Sequence, residues 1–192
     1  MNPAVLTLIG FICGSIPFSV LLGKLFICED VRNYGDGNPG ATNAFRAGGY
    51  KLGIPAMVLD YAKAAGPVAL ANYGNKITGW WLVIIAISPV LGHAFSPFLK
   101  FRGGKAVAAT LGIWTGLLVG EGPIVLGIGL GVFNSIISVD GWAVMFSMSG
   151  LLIYILIRKV GVFILLVWVF NTFILVWKHR YDLNQKIQLK RF

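Results

Sequence analysis

Apolar runs of near-span length alternate with short polar connections along the chain, and this pattern predicts a bundle of transmembrane helices. A helix satisfies its own backbone polar groups, so such runs are typical of segments that cross a bilayer. The stretch 106–157 is divided at two turn signals, Gly120–Pro123 and Asp140–Gly141, although five or six spans remain alternatives. Seven spans are predicted, at residues 3–26, 52–73, 77–99, 106–120, 122–139, 141–157 and 160–177. The expected fold is all-α, a polytopic helical membrane protein with a single integral membrane domain over residues 1–192.

The composition supports a membrane protein over a soluble one. Hydrophobic residues make up 57% of the chain and charged residues only 12%, whereas charged residues are about 25% of ordinary soluble domains. The formal net charge of +9 would suggest nucleic-acid binding in a soluble protein. No basic face carries the stacking aromatic residues that such binding uses, so no nucleic-acid partner is expected.

The basic residues lie mainly on one side of the predicted spans. Of the sixteen lysines and arginines, twelve fall on one side and three on the other, and Lys63 lies inside the second span. Loops rich in lysine and arginine stay in the cytoplasm, which predicts an external N-terminus and a cytoplasmic C-terminus. The twelve residues are Lys24, Arg32, Arg46, Lys51, Lys100, Arg102, Lys105, Lys178, Arg180, Lys186, Lys190 and Arg191.

The longest polar connection, residues 29–51, is called the first segment and has the composition of a phosphate-binding loop. Glycines allow backbone N–H groups to turn toward one point and form an anion-binding nest. No Gly-Lys-Ser/Thr follows, so this is not a nucleotide-binding Walker A loop. A flexible glycine-rich connector is the alternative interpretation. The candidate residues are Gly35, Gly37, Gly40, Asn38, Thr42, Asn43 and Arg46.

A second segment on the same side, residues 99–106, places Arg102 and Lys105 around Gly103 and Gly104. Backbone donors beside fixed positive charge again suit an anion. A cluster that only anchors the loop in the cytoplasm is the alternative. Two glycine-and-cation segments on one face favour binding of a shared anion.

Two features inside the spans are polar. Asp60 and Lys63 are three residues apart and so share a helix face. Each costs about 2.5–3.5 kcal/mol at a span centre, so the two either neutralise each other or hold an anion. In the first span, Ser15 precedes Pro17, and its hydroxyl either satisfies a freed carbonyl or opens a polar site.

The two histidines, His93 and His179, show no His-x4-Asp spacing. Phe98 lies five residues after His93, and Asn184 lies five residues after His179, with Asp182 three residues away. No general base is therefore predicted. Two isolated histidines without clustered carboxylates or thiols also predict no metal site.

Five stretches, taken in order, resemble the bacterial acyl-phosphate:glycerol-3-phosphate acyltransferases. They are residues 14–24 (GSIPFSVLLGK), 31–46 (VRNYGDGNPGATNAFR), 59–64 (LDYAKA), 92–108 (GHAFSPFLKFRGGKAVA) and 178–184 (KHRYDLN). This chain has Asp36 where the family usually has serine, and Asp182 where it usually has asparagine.

The resemblance implies transfer of an acyl group from acyl phosphate to the 1-hydroxyl of glycerol 3-phosphate, giving lysophosphatidate and phosphate in phospholipid biosynthesis. It implies a bacterial inner-membrane enzyme with its active face in the cytoplasm and without a cofactor. The expected partners are glycerol 3-phosphate, acyl phosphate and the lipid bilayer, and a monomer is one option. The expected substrate-binding residues are Ser15, Arg32, Gly35, Gly37, Asn38, Gly40, Thr42, Asn43, Arg46, Lys63, Arg102, Gly103, Gly104, Lys105, Ser147 and His179.

An acyl phosphate is already activated, so orientation and charge stabilisation matter more than a strong base. Without a His–Asp dyad, a phosphate oxygen of the substrate is the expected proton acceptor. A small transporter or channel for an anionic solute is the main alternative, since it shares the broken helix and basic face. A structural subunit is a further alternative.

Overall fold

The computed structural model describes residues 1–190, so Arg191, one of the twelve basic residues on the predicted cytoplasmic side, lies outside the described residues. Within that range the fold is all-helical, as predicted, with one isolated β-bridge between Ile137 and Leu189. The helices are α1 (Pro3–Ser15), α2 (Phe18–Ile27), α3 (Ala41–Ala69), α4 (Gly79–Ala94), α5 (Val107–Leu117), α6 (Glu121–Ile136), α7 (Asp140–Arg158), α8 (Val162–Lys178) and α9 (Arg180–Leu183).

The first predicted span is two helices and not one. The break lies at Ile16, whose backbone is extended with φ −62° and ψ 120°. Proline has no N–H and disfavours helical geometry in the residue before it, so Pro17 ends α1 and starts a new helix. The break leaves the Ile16 carbonyl free to accept other donors.

Helix α3 starts earlier than predicted. The sequence pattern places residues 41–51 in a connection, but the helix begins at Ala41 and bends at Gly48 and Gly49. Gly49 has a φ of 61°, which glycine adopts without steric cost. The bend separates a short helical arm, which carries part of the first segment, from the long apolar part of α3.

The turn signals of the second half fall where the sequence predicts them. Helix α5 ends at Leu117 before Gly120, and α6 ends at Ile136 before Asp140. Helix α5 is short: its 11 residues span about 16 Å, roughly half of a bilayer core. Three stretches are long and apolar enough to cross a membrane, at Pro3–Ile27, Gly79–Leu99 and Asp140–Arg158.

Small residues bring the helix backbones close together around the break in the first span. A Cβ atom on Gly14 of α1 would collide with the backbone of Pro89 in α4, and one on Gly92 would collide with that of Phe11. Close packing through small residues is typical of membrane helices. It fixes the end of α4 against the Ile16–Pro17 break, which places the second segment beside the break.

A buried polar link joins α5 to α8. The indole of Trp114 donates to the Asn171 side chain over 3.1 Å, and Asn171 donates to the Thr110 hydroxyl over 3.0 Å. All three side chains are buried. Buried polar groups are costly unless they are paired, so this link fixes the position of α8 and of the chain that follows it.

Candidate functional site

Three parts of the chain meet at the amine of Lys105. Its Nζ atom lies 2.9 Å from a carboxylate oxygen of Asp36 and 2.8 Å from one of Asp182. Asp36 belongs to the first segment, Lys105 to the second, and Asp182 to α9. We call Asp36, Lys105, His179 and Asp182 the Lys105 cluster.

The charges of this cluster stabilise one another. Burial opposes the ionisation of Asp36, but hydrogen bonds from Lys105 and Asn38 outweigh it, so the pKa of Asp36 is lowered. Burial likewise opposes the charge on Lys105, and the two carboxylates outweigh it, so the pKa of Lys105 is raised. In the empty site, one cation is therefore held by two anions.

The first segment folds around the Asp36 carboxylate. Its Oδ1 atom accepts from the backbone N–H of Asn38 over 3.1 Å and from the Asn43 side chain over 2.9 Å. The N–H groups of Gly37 and Gly40 donate to carbonyls inside the segment. This differs from the predicted nest, because these backbone donors already have acceptors and Asp36 occupies the position expected for an external anion.

Arg46 lies over this folded segment. Its guanidinium donates to the Asn43 side chain over 3.1 Å, and Asn43 also donates to the Asn38 carbonyl over 3.0 Å. Gly35, with φ 59°, leaves the space that Arg46 occupies, since a Cβ there would collide with the guanidinium. The arm of α3 thus presents Arg46 on the same surface as the Asp36 turn.

Two predicted residues of the first segment lie outside this arrangement. Arg32 forms a bidentate pair with Asp30, with distances of 2.9 and 2.6 Å. Thr42 is exposed on the first turn of α3. The structure does not bring either side chain to the Lys105 cluster.

The second segment is pressed against the end of α4. The N–H of Gly104 donates to the His93 carbonyl over 3.0 Å, so it does not serve as the free backbone donor that the sequence predicted. The Gly103 carbonyl accepts from Lys178 over 2.8 Å. A Cβ on Gly103 or Gly104 would collide with the backbone or ring of His93. These glycines are needed for close approach. Arg102 is exposed and has no ion pair within residues 1–190.

The prediction that both histidines lack a carboxylate partner is wrong for His179. Its Nδ1 atom lies 2.8 Å from a carboxylate oxygen of Asp182, three residues further along. The two residues are one helical turn apart in and before α9, a spacing that brings side chains together. The hydrogen bond from His179, with a further one from Lys105, outweighs burial and lowers the pKa of Asp182 to about 2.

A second polar group lies deeper, at the break between α1 and α2. Lys63 donates to the Ile16 carbonyl and to Asp60, each over 2.6 Å, and Ser19 donates to Asp60 over 3.0 Å. The pairing of Asp60 with Lys63 agrees with mutual neutralisation. His93 lies beside the pair, with Nδ1 3.8 Å from Asp60.

A small cavity connects this buried group with both segments. It is lined by Lys63 and His93 on the inner side and by Pro39 and Gly104 on the outer side. Ser15 also lines it, but its hydroxyl donates to the Phe11 carbonyl over 2.7 Å within its own helix. That contact matches the alternative in which Ser15 satisfies a backbone carbonyl of the interrupted helix.

Ser147 lies apart from the other candidates. It is buried in α7, donates to the Ala143 carbonyl over 2.7 Å and packs against Gly129 of α6. The site residues that the sequence reasoning missed are Asp36 and Asp182 as partners of Lys105, and His93 as the support of Gly104. The three-residue spacing of His179 and Asp182 could have indicated the first contact on α9.

This arrangement can be compared with known proteins. Residues 4–188 match the family model described as glycerol-3-phosphate acyltransferase. Glycerol-3-phosphate acyltransferase 1 of Thermotoga maritima is 37% identical over 194 residues, covering 94% of this chain and 95% of that protein. The glycerol-3-phosphate acyltransferase of Anaeromyxobacter dehalogenans is 46% identical over 114 residues, covering 58% of this chain and 57% of its own length.

The fold is also that of solved structures. The crystal structure of PlsY (YgiH), an integral membrane glycerol 3-phosphate acyltransferase, in its glycerol 3-phosphate form has a TM-score of 0.86 and 28% identity over 95% of this chain and 90% of that chain. The lysphosphatidic acid form has a TM-score of 0.85 and 27% identity over the same shares. The predicted family and the helical membrane fold are thus confirmed. The chain belongs to the glycerol-3-phosphate acyltransferase family, whose members are membrane acyltransferases of phospholipid biosynthesis.

Proposed function

We propose that this chain transfers the acyl group of an acyl phosphate to the 1-hydroxyl of glycerol 3-phosphate, giving lysophosphatidate and phosphate. The observation that carries the proposal is the meeting of both glycine segments and α9 at Lys105. Both substrates carry a phosphate, and Arg46 and Lys105 supply cations from two segments. Charge-assisted hydrogen bonds from such groups hold phosphates strongly.

The reaction needs little covalent help from the protein. The hydroxyl oxygen attacks the acyl carbonyl, a new ester bond forms, and the bond from the carbonyl carbon to the phosphate oxygen breaks. Orientation of the two substrates and stabilisation of the developing negative charge supply the main contributions to rate. The substrate was the expected proton acceptor because neither histidine showed a dyad spacing. The His179–Asp182 contact removes that reason, so we do not propose it.

The donor also needs a place for its acyl chain. An apolar groove of about 440 Å3 runs between the second halves of α4 and α8. Lys178 lies 5.4 Å from the ring centre of Phe95 at this groove and donates to the Gly103 carbonyl of the second segment. We propose that the acyl chain lies in this groove, which is lined by Ile87, Leu91, Phe95, Phe170, Phe173, Ile174 and Trp177.

The proposed topology has seven spans, an external N-terminus and a cytoplasmic C-terminus in the bacterial inner membrane, with one domain over the chain. The Lys105 cluster would then face the cytoplasm, where a water-soluble substrate arrives. The described cluster residues all come from one chain, so a monomer suffices. Reporter fusions should place only the C-terminal tag in the cytoplasm, and both tags on one side would rule out an odd number of spans.

The activity is tested with purified protein in phospholipid nanodiscs. We expect phosphate release from palmitoyl phosphate only when glycerol 3-phosphate is present, with lysophosphatidate formed in equal amount. The Lys105→Ala variant serves as the control for contaminating activity. Acyl transfer from acyl-CoA together with none from acyl phosphate would overturn the assignment of the donor.

The acyl groove is tested by filling it. We expect Leu91→Trp to lower the rate with palmitoyl phosphate more than the rate with octanoyl phosphate, because the larger side chain shortens the groove. Ile84→Trp is the matched control, since Ile84 is exposed two turns earlier on α4 and does not line the groove. Equal effects of Leu91→Trp on both donors would place the chain elsewhere.

A further inference from the structure

His179 is a buried imidazole with one nitrogen in use and one without a partner. Its side chain is 1% exposed. Nδ1 contacts Asp182 over 2.8 Å, whereas Nε2 has no hydrogen-bond partner among the described residues. A buried polar atom without a partner costs about 1–3 kcal/mol, so it calls for a reason.

The contact with Asp182 fixes the tautomer. An ionised carboxylate can only accept, so a neutral imidazole beside it must carry its proton on Nδ1. The pKa of Asp182 is about 2, which keeps this carboxylate ionised at any pH at which the protein works. The Nε2 atom is then left with a free lone pair, which is the form that can accept a proton.

The free nitrogen is next to the proposed phosphate site. His179 Nδ1 and Lys105 Nζ each lie 2.8 Å from the same Oδ2 atom of Asp182. The charged groups around the imidazole are Asp182 on α9, Lys105 of the second segment, and Asp140 beside Gly141, which packs against the His179 Cβ atom. A phosphate bound at Lys105 would therefore place its substrate near the ring.

We infer that His179 and Asp182 form a general-base dyad that activates the acceptor hydroxyl of glycerol 3-phosphate. Nε2 takes the hydroxyl proton as the oxygen attacks the acyl carbonyl, and the bond to the leaving phosphate breaks. Asp182 holds the tautomer and stabilises the imidazolium. The imidazolium then returns the proton to the departing phosphate, so the reaction consumes no external acid or base. This inference rests on the proposed acyl transfer.

A purely structural histidine is the competing explanation, since α9 is short and His179 also packs against α7. The two explanations differ in what they predict for pH. A base must be unprotonated to act, so turnover falls as the pH drops through the range where histidines gain a proton. A packing histidine leaves turnover independent of its own protonation and affects mainly stability.

The experiment measures kcat and KM against pH for wild type, His179→Gln, Asp182→Asn and the double variant, in nanodiscs with palmitoyl phosphate. Glutamine keeps a donor for Asp182 but cannot take a proton. We expect His179→Gln to lower kcat by about 100-fold or more, with the acid limb of the profile absent. Asp182→Asn should fall between wild type and His179→Gln, and the double variant should be no worse than His179→Gln, as for residues that act as a unit.

The control for a disturbed tail is Trp142→Phe, which removes the 3.0 Å hydrogen bond from the Trp142 indole to the Gln185 carbonyl without touching the dyad. It should keep the acid limb. A folded His179→Gln that keeps its kcat within about threefold, or keeps the acid limb, would overturn the inference. A higher KM at unchanged kcat would make His179 a binding residue and overturn it too. An inactive wild type would instead count against the proposed acyl transfer.

Discussion

The Nζ atom of Lys63 donates a hydrogen bond to the carbonyl oxygen of Ile16 over 2.6 Å. That carbonyl is freed because Pro17 interrupts the first span, so a lysine on α3 satisfies a backbone group of the α1–α2 break. Asp60 then neutralises the lysine from the same face of α3. The break, the ion pair and the cavity behind the second segment form one buried unit, and its stability can be tested.

Replacing Lys63 with methionine should destabilise the protein by about 3–5 kcal/mol, because the Asp60 carboxylate would remain buried without its cation. The side chains of Lys63 and Asp60 are only 3% and 2% exposed. The measurement is the free energy of unfolding in mixed micelles. Arg158→Met is the matched control: its pair with Glu121 is 54% and 46% exposed, so we expect a loss below about 1 kcal/mol. Similar losses for the two variants would contradict this account.

Arg46→Ala should weaken the binding of glycerol 3-phosphate by about ten- to a hundredfold, since a charge-assisted hydrogen bond is worth about 1.5–3 kcal/mol. Arg46 is fixed by Asn43 and has no carboxylate partner within residues 1–190, so its charge is available to a ligand. The dissociation constant is measured by calorimetry in nanodiscs. Lys24→Ala removes an exposed charge from the same predicted face and should change binding by less than about twofold. Equal effects of the two variants would reduce Arg46 to a topology signal.

The helices and both segments could be predicted because their signals are local. Apolar runs mark the spans, and the turn signals at Gly120 and Asp140 fall between helices as expected. The early start of α3 was missed because Gly48 and Gly49 resemble a turn, yet they only bend the helix. Local propensity could not show that the chain continues as a helix on both sides.

The contacts of the site could be predicted only in part. Convergence of two cationic segments on one face follows from topology, but Lys105 and Asp182 are 77 residues apart and their pairing depends on the packed helices. The His179–Asp182 contact was missed because a five-residue dyad spacing was sought, whereas a helical turn brings together residues three apart. The anionic partner inside the first segment was missed because the glycines were read only as donors.

Gly104→Ala should impair the second segment, because the added methyl group would collide with the His93 ring. Overpacking of this kind costs about 1–3 kcal/mol, and the shift would move Lys105, so we expect a lower unfolding free energy and a higher KM for glycerol 3-phosphate. Gly66→Ala is the control: a Cβ there meets no atom within 4 Å, and alanine favours a helix more than glycine does. Unchanged stability and KM in Gly104→Ala would show that the segment yields without cost.

Asp36→Asn should tighten the binding of glycerol 3-phosphate. The carboxylate now occupies Lys105 over 2.9 Å, so an incoming phosphate competes with an anion that belongs to the protein. Asparagine keeps an oxygen for the Asn38 N–H and the Asn43 side chain, and loses only the charge toward Lys105. Removing one repulsive charge near the ligand is worth about 1 kcal/mol, or roughly fivefold in the dissociation constant.

Asp36→Ala is the comparison that separates charge from loop structure. It loses the same charge but also the acceptor that holds the turn, so we expect weaker binding than in Asp36→Asn and a less stable first segment. Because the pKa of Asp36 is lowered, the carboxylate stays ionised above pH 5, and the ratio of wild-type to Asp36→Asn affinity should be constant from pH 6 to 8. Calorimetric titrations of both variants over this range provide the measurement. Binding that is unchanged or weaker in Asp36→Asn would mean that Asp36 supports the phosphate site and does not compete for it.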